Sequence, residues 1–143
     1  GAKYGAAGRP VVGVVGDVAM SSQMPVIPTA VEQGIGVIWV VMNNSAFGTI
    51  ADLEKSNYGV QYGTVFEDPE GNPYTPDFAA LARSCGAWGT RISSAGELAG
   101  ALQEALGAAG PALVDVPMVN DPVPTPGHWN INDIYQGTFR PTT

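Results

Sequence analysis

The chain has few of the groups that most often carry chemistry. Its 143 residues include one cysteine, Cys85, and one histidine, His128. A lone cysteine excludes a disulfide within the chain, and a reducing, cytoplasmic location is the default expectation. Positive charge is also scarce. Six Lys and Arg stand against thirteen Asp and Glu, for a net charge of −7 with no basic cluster. Nucleic-acid binding, which needs a basic face, is therefore not expected. No stretch is long and apolar enough to span a membrane, so no membrane partner is expected either. The start, Gly1 to Gly8, lacks the basic-then-hydrophobic order of a signal peptide and reads as the end of a helix. The expectation is a piece of a longer polypeptide. Its length fits one domain with a real core, and its apolar content is ordinary for a globular domain.

Two short apolar runs are prominent. Pro10 to Val15 and Val37 to Met42 are uncharged and rich in β-branched residues. Strands buried on both faces read this way, and such strands are usually parallel. The chain between them is long enough for a right-handed βαβ crossover. Gly16-Asp17-Val18-Ala19 closes the first run and Asn43-Asn44 the second, with twenty-six residues between Asp17 and Asn44. Ligands of open parallel sheets collect beyond the carboxyl ends of the strands. A carboxylate and a carboxamide converging there can share one hard cation, and oxygen-only ligation suits magnesium with phosphate and water as its other ligands. Taken singly, each motif also fits a helix cap or a turn.

The rest of the chain continues the alternation. Ala46 to Tyr58 reads as a helix with Ile50, Leu53 and Tyr58 inward. Gly59 to Tyr74 is a Gly-, Asp- and Pro-rich loop. Thr75-Pro76 reads as an N-cap with proline in the first turn, and Gly86 as the stop. Phe78, Leu81 and Cys85 share a face of that helix, which makes Cys85 a core residue. Trp88 to Ile92 is a short strand. Ser94 to Glu97 fits a capping box, followed by an apolar stripe of Leu98, Leu102 and Leu106. Pro111 to Val116 is a last strand, stopped by Pro117. The expected fold is α/β, a doubly wound parallel sheet flanked by helices over residues 1–118. Residues 119–143 form an irregular tail with four prolines. In it His128 reads as a surface or packing residue, and Trp129 and Tyr135 as anchors to another surface.

The Gly-Asp-x motif followed, at this separation, by Asn-Asn resembles the signature of thiamine-diphosphate (ThDP) enzymes. The resemblance covers Gly1 to Met118. It is to the diphosphate-binding domain of the group that holds acetolactate synthase, glyoxylate carboligase, and benzoylformate and pyruvate decarboxylases. It implies that Asp17 and Asn44 ligate Mg²⁺ through side-chain oxygens and Ala46 through its carbonyl. Two diphosphate oxygens and a water would complete the octahedron. It further implies that backbone around Gly16, Val18, Ala19, Phe47 and Gly48 binds the diphosphate. Magnesium and amides would thus reconcile an acidic domain with an anionic cofactor. Thr49, Ile50 and Leu53 would stand beside the thiazolium as the substrate pocket.

The chain departs from the pattern at two places. Val18 replaces the usual second glycine, where a side chain crowds the backbone's approach to phosphate. Glyoxylate carboligase also carries a non-glycine residue there. A Gln-Glu pair common in relatives is replaced near Pro25-Val26, with Pro28 following. Proline is tolerated only in a first turn, so that helix is expected to begin near Pro25 or Pro28.

The implied chemistry is cleavage or formation of a C–C bond beside a carbonyl, with the thiazolium as electron sink. The substrate would be a 2-oxo acid or a 1,2-diketone, as in acetolactate synthase or cyclohexane-1,2-dione hydrolase. The glutamate found near Ile50 in several decarboxylases is missing, which argues against a simple decarboxylase of that type. The glutamate that activates the aminopyrimidine lies on another domain in the family, usually a partner subunit's. The full protein is thus expected to be a homodimer or homotetramer, and this chain alone inactive. Some members carry FAD on a middle domain, which this chain does not contain. Two other readings stay open from the residues themselves. One is a nucleotide-binding domain, for which Gly13 to Asp17 loosely echoes a glycine-rich turn without Gly-x-Gly-x-x-Gly. The other is a non-catalytic interaction domain with a degenerate ThDP-like fold.

Overall fold

The computed structural model describes residues 1–120; the readings at His128, Trp129 and Tyr135, and nearly all of the tail, lie outside them. The two apolar runs are strands, β1 (Val12–Gly16) and β2 (Ile38–Asn43). A short helix, α1 (Ala2–Gly5), precedes them. The order continues as α4 (Gly48–Tyr58), α5 (Phe78–Ser84), β3 (Trp88–Arg91), α6 (Leu98–Gly107) and β4 (Ala112–Pro117). All neighbouring strands are parallel, in the order β1-β2-β4-β3. Helices lie on both faces, as the alternating pattern requires.

The crossover from β1 to β2 differs from the expectation. A helix near Pro25 exists, α3 (Val26–Glu32), with Pro25 at its N-cap and Pro28 in its first turn. It is preceded by a second one, α2 (Asp17–Ser22), which begins directly at the motif aspartate. The prolines belong to the start of α3 and leave the chain before it free to form α2. Asp17 therefore stands in the first turn of a helix as well as at a strand end.

One face of the sheet is covered by α2, α3 and α5. Met20, Ile27, Phe78 and Ala82 pack there on Val41 and Leu113. Phe78, Ile27 and Leu113 are fully buried, each contributing roughly 1.5–3 kcal/mol by burial. Cys85 is only partly buried against this cluster. The other face is covered by α6 through Ala101 and Ala105, with Leu98 and Leu102 at the margin. Leu106, expected in that stripe, is exposed. The helix turns its small residues to the sheet instead, which brings it close.

Burial on both faces holds for β2 and β4 but not for β1. Val12 and Val14 are 48% and 68% exposed, because α6 lies over the far side of the sheet. Two caps also differ. Asp77, not Thr75, caps α5 by accepting from Ala80 N–H at 2.8 Å. Thr75 is drawn away to another partner. At Ser94, Glu97 folds back one residue further than a capping box, accepting from Ser93 N–H at 2.9 Å. Gly86 ends α5 as expected, with a φ of +87° that a side chain would strain.

Candidate functional site

Parallel pairing of β1 with β2 sets the site. Gly16 lies in register with Met42, so Asp17 and Asn43-Asn44 emerge side by side at the carboxyl edge. Asp17 is 4% exposed. Its Oδ1 accepts from Val18 N–H at 2.9 Å, while Oδ2 is buried without a partner among the described residues. An unpaired buried carboxylate oxygen is costly and calls for a donor or a cation.

Asn44 sits one residue beyond β2. Its Nδ2 donates to Asn120 Oδ1 at 3.2 Å. That bond fixes which end of the carboxamide faces outward, and among the described residues no donor occupies Oδ1. The following residue, Ser45, takes a left-handed φ of 55°, uncommon for a residue other than glycine. The chain then turns sharply into α4. Ala46 is buried and bridges Val65 in antiparallel fashion. Phe66 N–H donates to Ser45 O, and Phe47 N–H to Thr64 O, both at 2.8 Å. Phe47 and Phe66 meet edge to face with centroids 5.4 Å apart. Glu54 holds the same segment from α4, accepting from Thr64 Oγ1 at 2.7 Å and Tyr62 N–H at 3.0 Å. The turn is thus clipped in place by residues 61–66, inside the Gly-, Asp- and Pro-rich loop.

These bonds refine the expected phosphate donors. Phe47 N–H is committed to Thr64 and is not a free donor. Val18 N–H is engaged by Asp17 itself. Ala19 and Gly48 lie in the first turns of α2 and α4, where N–H groups have no intrahelical carbonyl to reach. Gly48 has a further reason to lack a side chain: a Cβ there would stand 2.6 Å from Asn44 Nδ2. Gly16 has open space about it.

The expected pocket residues are not brought together as a lining. Thr49, Ile50 and Leu53 are exposed, and α4 buries only Ala51. Tyr58, expected inward, is also exposed. A cleft of about 360 Å³ is lined by Asp17 together with Val18, Ser21, Phe66, Glu67, Tyr74 and Thr75 among others. Asp17 and Glu67 stand in its wall without a Lys or Arg, so an anion there would have to be met by backbone N–H groups or a cation.

A second polar group lies just beneath. Asp115, on β4, is fully buried. It accepts from Asn43 Nδ2 at 3.0 Å and Arg91 Nη1 at 3.1 Å. Desolvation raises its pKa above the usual carboxylate range, opposed by the Asn43 bond and Arg91 and reinforced by Asp77 and Asp17. Asn43 Nδ2 also donates to Thr75 Oγ1 at 2.9 Å, which explains why Thr75 is not the cap. Asn43 Oδ1 is buried without a partner among the described residues. Sequence reasoning missed this group. Its one signal was a lone carboxylate inside the apolar run from Pro111 to Val116.

The parallel sheet and its polar carboxyl edge define a doubly wound α/β cofactor-binding domain. Residues 1–116 match the family model "Thiamine pyrophosphate enzyme, C-terminal TPP binding domain". The chain belongs to that family. It is 36% identical over 119 residues to YdaP of Bacillus subtilis (strain 168), provisionally named a thiamine pyrophosphate-containing protein, covering 83% of this chain and 19% of that one. It is 34% identical over 115 residues to IlvB2 of Mycobacterium tuberculosis (strain ATCC 25618 / H37Rv), provisionally named an acetolactate synthase large subunit, covering 78% and 20%. Among solved structures it resembles a thiamine diphosphate-dependent 4-hydroxybenzoylformate decarboxylase of Rhodococcus jostii RHA1, with a TM-score of 0.69 and 27% identity over 84% of this chain and 22% of that one. The chain thus spans about a fifth of the length of these relatives.

Proposed function

We propose that this domain holds ThDP through Mg²⁺ in an enzyme that cleaves or forms C–C bonds beside a carbonyl. The observation that carries the reading is Asp17, a buried carboxylate with Oδ2 unpartnered, beside an Asn44 whose amide nitrogen is already engaged. Asp17, Asn44 and the Ala46 carbonyl are a hard, all-oxygen donor set, with only one charged member. Such a set suits magnesium completed by phosphate and water, and suits a transition metal poorly. Among the described residues no cluster of three His, Cys, Asp or Glu side chains competes for a metal. The space that a Cβ at Gly48 would fill lets Asn44 sit against the start of α4.

In this reading Ala19 and Gly48 would offer N–H groups to the diphosphate, while Val18 N–H holds Asp17 Oδ1 and leaves Oδ2 for the cation. Val18 is half-buried and lines the cleft beside Asp17. ThDP, when bound, supplies the electron sink for C–C chemistry. This chain's part is to anchor the diphosphate and neutralise it without a basic residue. The substrate class is a 2-oxo acid or a 1,2-diketone, in the manner of acetolactate synthase, decarboxylases or cyclohexane-1,2-dione hydrolase. Other domains, and a second subunit in a homodimer or homotetramer, supply the activating glutamate and most of the substrate pocket, and a cytoplasmic location completes the proposal. The outward apolar residues Ile50 and Leu53 suit contact with those missing parts.

Calorimetry of ThDP binding to the full-length protein, with and without Mg²⁺, tests the reading. Binding that needs Mg²⁺ and vanishes in Asp17→Ala supports it. Absence of binding by the wild type would replace it with a non-catalytic interaction domain. Mg²⁺-independent binding of a dinucleotide would favour a nucleotide-binding domain.

A further inference from the structure

The buried carboxylate of Asp115 serves no ligand directly, yet it lies beneath the turn that carries Asn44 and Ala46. We propose that Asp115 and Arg91 are positioning residues for the cation-binding turn, acting through Asn43. The inference rests on the reading of Asn44 and Ala46 as cation ligands.

Three neighbouring strands contribute to the group. Arg91 on β3, Asp115 on β4 and Val41 on β2 stand in register across the sheet. Asn43 lies two residues beyond Val41, on the same face and diagonal to Asp115, within reach of a cross-strand bond. Arg91 Nη1 donates to Asp115 Oδ2 at 3.1 Å, and Asn43 Nδ2 to Asp115 Oδ1 at 3.0 Å. The second Nδ2 hydrogen goes to Thr75 Oγ1 at 2.9 Å, in the wall of the cleft. Both amide hydrogens are therefore used, and the Asn43 carboxamide has one orientation. Its main chain is tied as well: Met118 N–H donates to Asn43 O at 2.7 Å.

Asn43 is thus fixed at side chain and backbone, one residue before Asn44. On the other side, the bonds from Phe66 and Phe47 fix Ser45 and Phe47. The two ligands lie between these anchor points, and the left-handed Ser45 joins them. The sheet itself does not need a carboxylate here. Leu113, Val114 and Val116 fill the same strand with apolar side chains, and an apolar residue at 115 would avoid the cost of desolvating a charge. What the carboxylate adds is a directed bond to the residue beside the turn. Groups that hydrogen-bond a metal ligand directly orient it, and losing one lowers metal affinity roughly 10–100-fold. Asp115 acts one residue further out, through Asn43, so its effect lies at the low end of that range.

The test uses the full-length protein. The Mg²⁺ concentration that half-saturates ThDP binding is measured for wild type, Asp115→Asn, Arg91→Gln, Arg91→Lys and Asn44→Ala, with melting temperature as a monitor of folding. The expected result is a rise of roughly tenfold in the Mg²⁺ requirement of Asp115→Asn and a smaller one in Arg91→Gln, with recovery in Arg91→Lys. Lysine can replace the single contact made by Nη1. An unchanged Mg²⁺ requirement in folded Asp115→Asn and Arg91→Gln, with Asn44→Ala abolishing binding, overturns the positioning role and leaves the ligand assignment standing. A wild-type Mg²⁺ requirement in Asn44→Ala overturns the ligand assignment and this inference with it. If Asp115→Asn does not fold, Arg91→Gln decides alone, since the Arg91 side chain is 43% exposed and its replacement opens no cavity in the core. The melting temperature records the cost of the unpaired Asp115 carboxylate.

Discussion

Gly48 leaves the space that the carboxamide of Asn44 occupies: a Cβ at residue 48 would stand 2.6 Å from Asn44 Nδ2 and 3.5 Å from Asn120 Oδ1. The helix that follows the turn thus begins with a glycine for reasons of contact, its φ being unexceptional. Gly48→Ala should displace Asn44 and weaken Mg²⁺-dependent ThDP binding about tenfold, as expected for a disturbed ligand. Stability should not fall, since alanine favours a helix over glycine. Calorimetry and melting curves on the same samples check both halves.

Asp17→Asn should separate stability from binding. The substitution keeps an Oδ1 acceptor for Val18 N–H and removes a buried charge whose Oδ2 has no partner among the described residues. In the absence of cofactor the variant should melt at or above the wild-type temperature. Adding ThDP and Mg²⁺ should stabilise the wild type by about 2.7 kcal/mol at one hundred times the dissociation constant, and the variant not at all. A ligand-induced melting shift preserved in Asp17→Asn would remove Asp17 from the site.

Gly89→Ala should damage the fold and spare the site. A Cβ at residue 89 would meet the Ala79 carbonyl oxygen at 2.5 Å and Ala82 Cβ at 3.1 Å. Helix α5 and strand β3 approach each other through this glycine. Overpacking there should cost about 1–3 kcal/mol, read as a lowered melting temperature. The Mg²⁺ requirement of the folded fraction should match the wild type.

The pH dependence of Asp115 has a definite sign. Burial raises its folded pKa above the unfolded value of about 4. The native state therefore holds this proton more tightly than the unfolded chain, and the associated stability is present below the unfolded pKa. It is lost as pH rises through the raised folded value. Arg91 limits the loss, while Asp77 and Asp17 add to it. In cofactor-free protein the wild type should lose stability relative to Asp115→Asn as pH rises from about 4 through the raised folded pKa. Parallel pH profiles would contradict the assignment.

The sequence revealed the frame of this site more readily than its supports. Val12–Gly16 and Ile38–Asn43 are legible because β-branched runs without charge have few alternatives. Their ends place Asp17 and Asn44 at one edge by topology alone. Other features depend on partners distant in sequence. Thr75 looked like a helix cap until Asn43, thirty-two residues away, took its hydroxyl as acceptor. Asp115 could not be paired with Arg91 before the strand order was known. Ile50 and Leu53 follow a helical period that suits a core, but α4 turns Ala51 inward and leaves them outside. The prolines at 25 and 28 concealed α2, since they bear only on the second helix of the crossover.

Among the described residues strand β1 is outermost and joined to the sheet by a single ladder, yet one of the two motif residues hangs from its end. A cation shared by Asp17 and Asn44 would close a ring across that ladder. Strand opening and cation release would then be two views of one equilibrium, each opposing the other by the same free energy. Amide exchange along Val12–Gly16 would therefore report on cofactor occupancy, with the slowest exchange in the loaded protein and the fastest in the bare one.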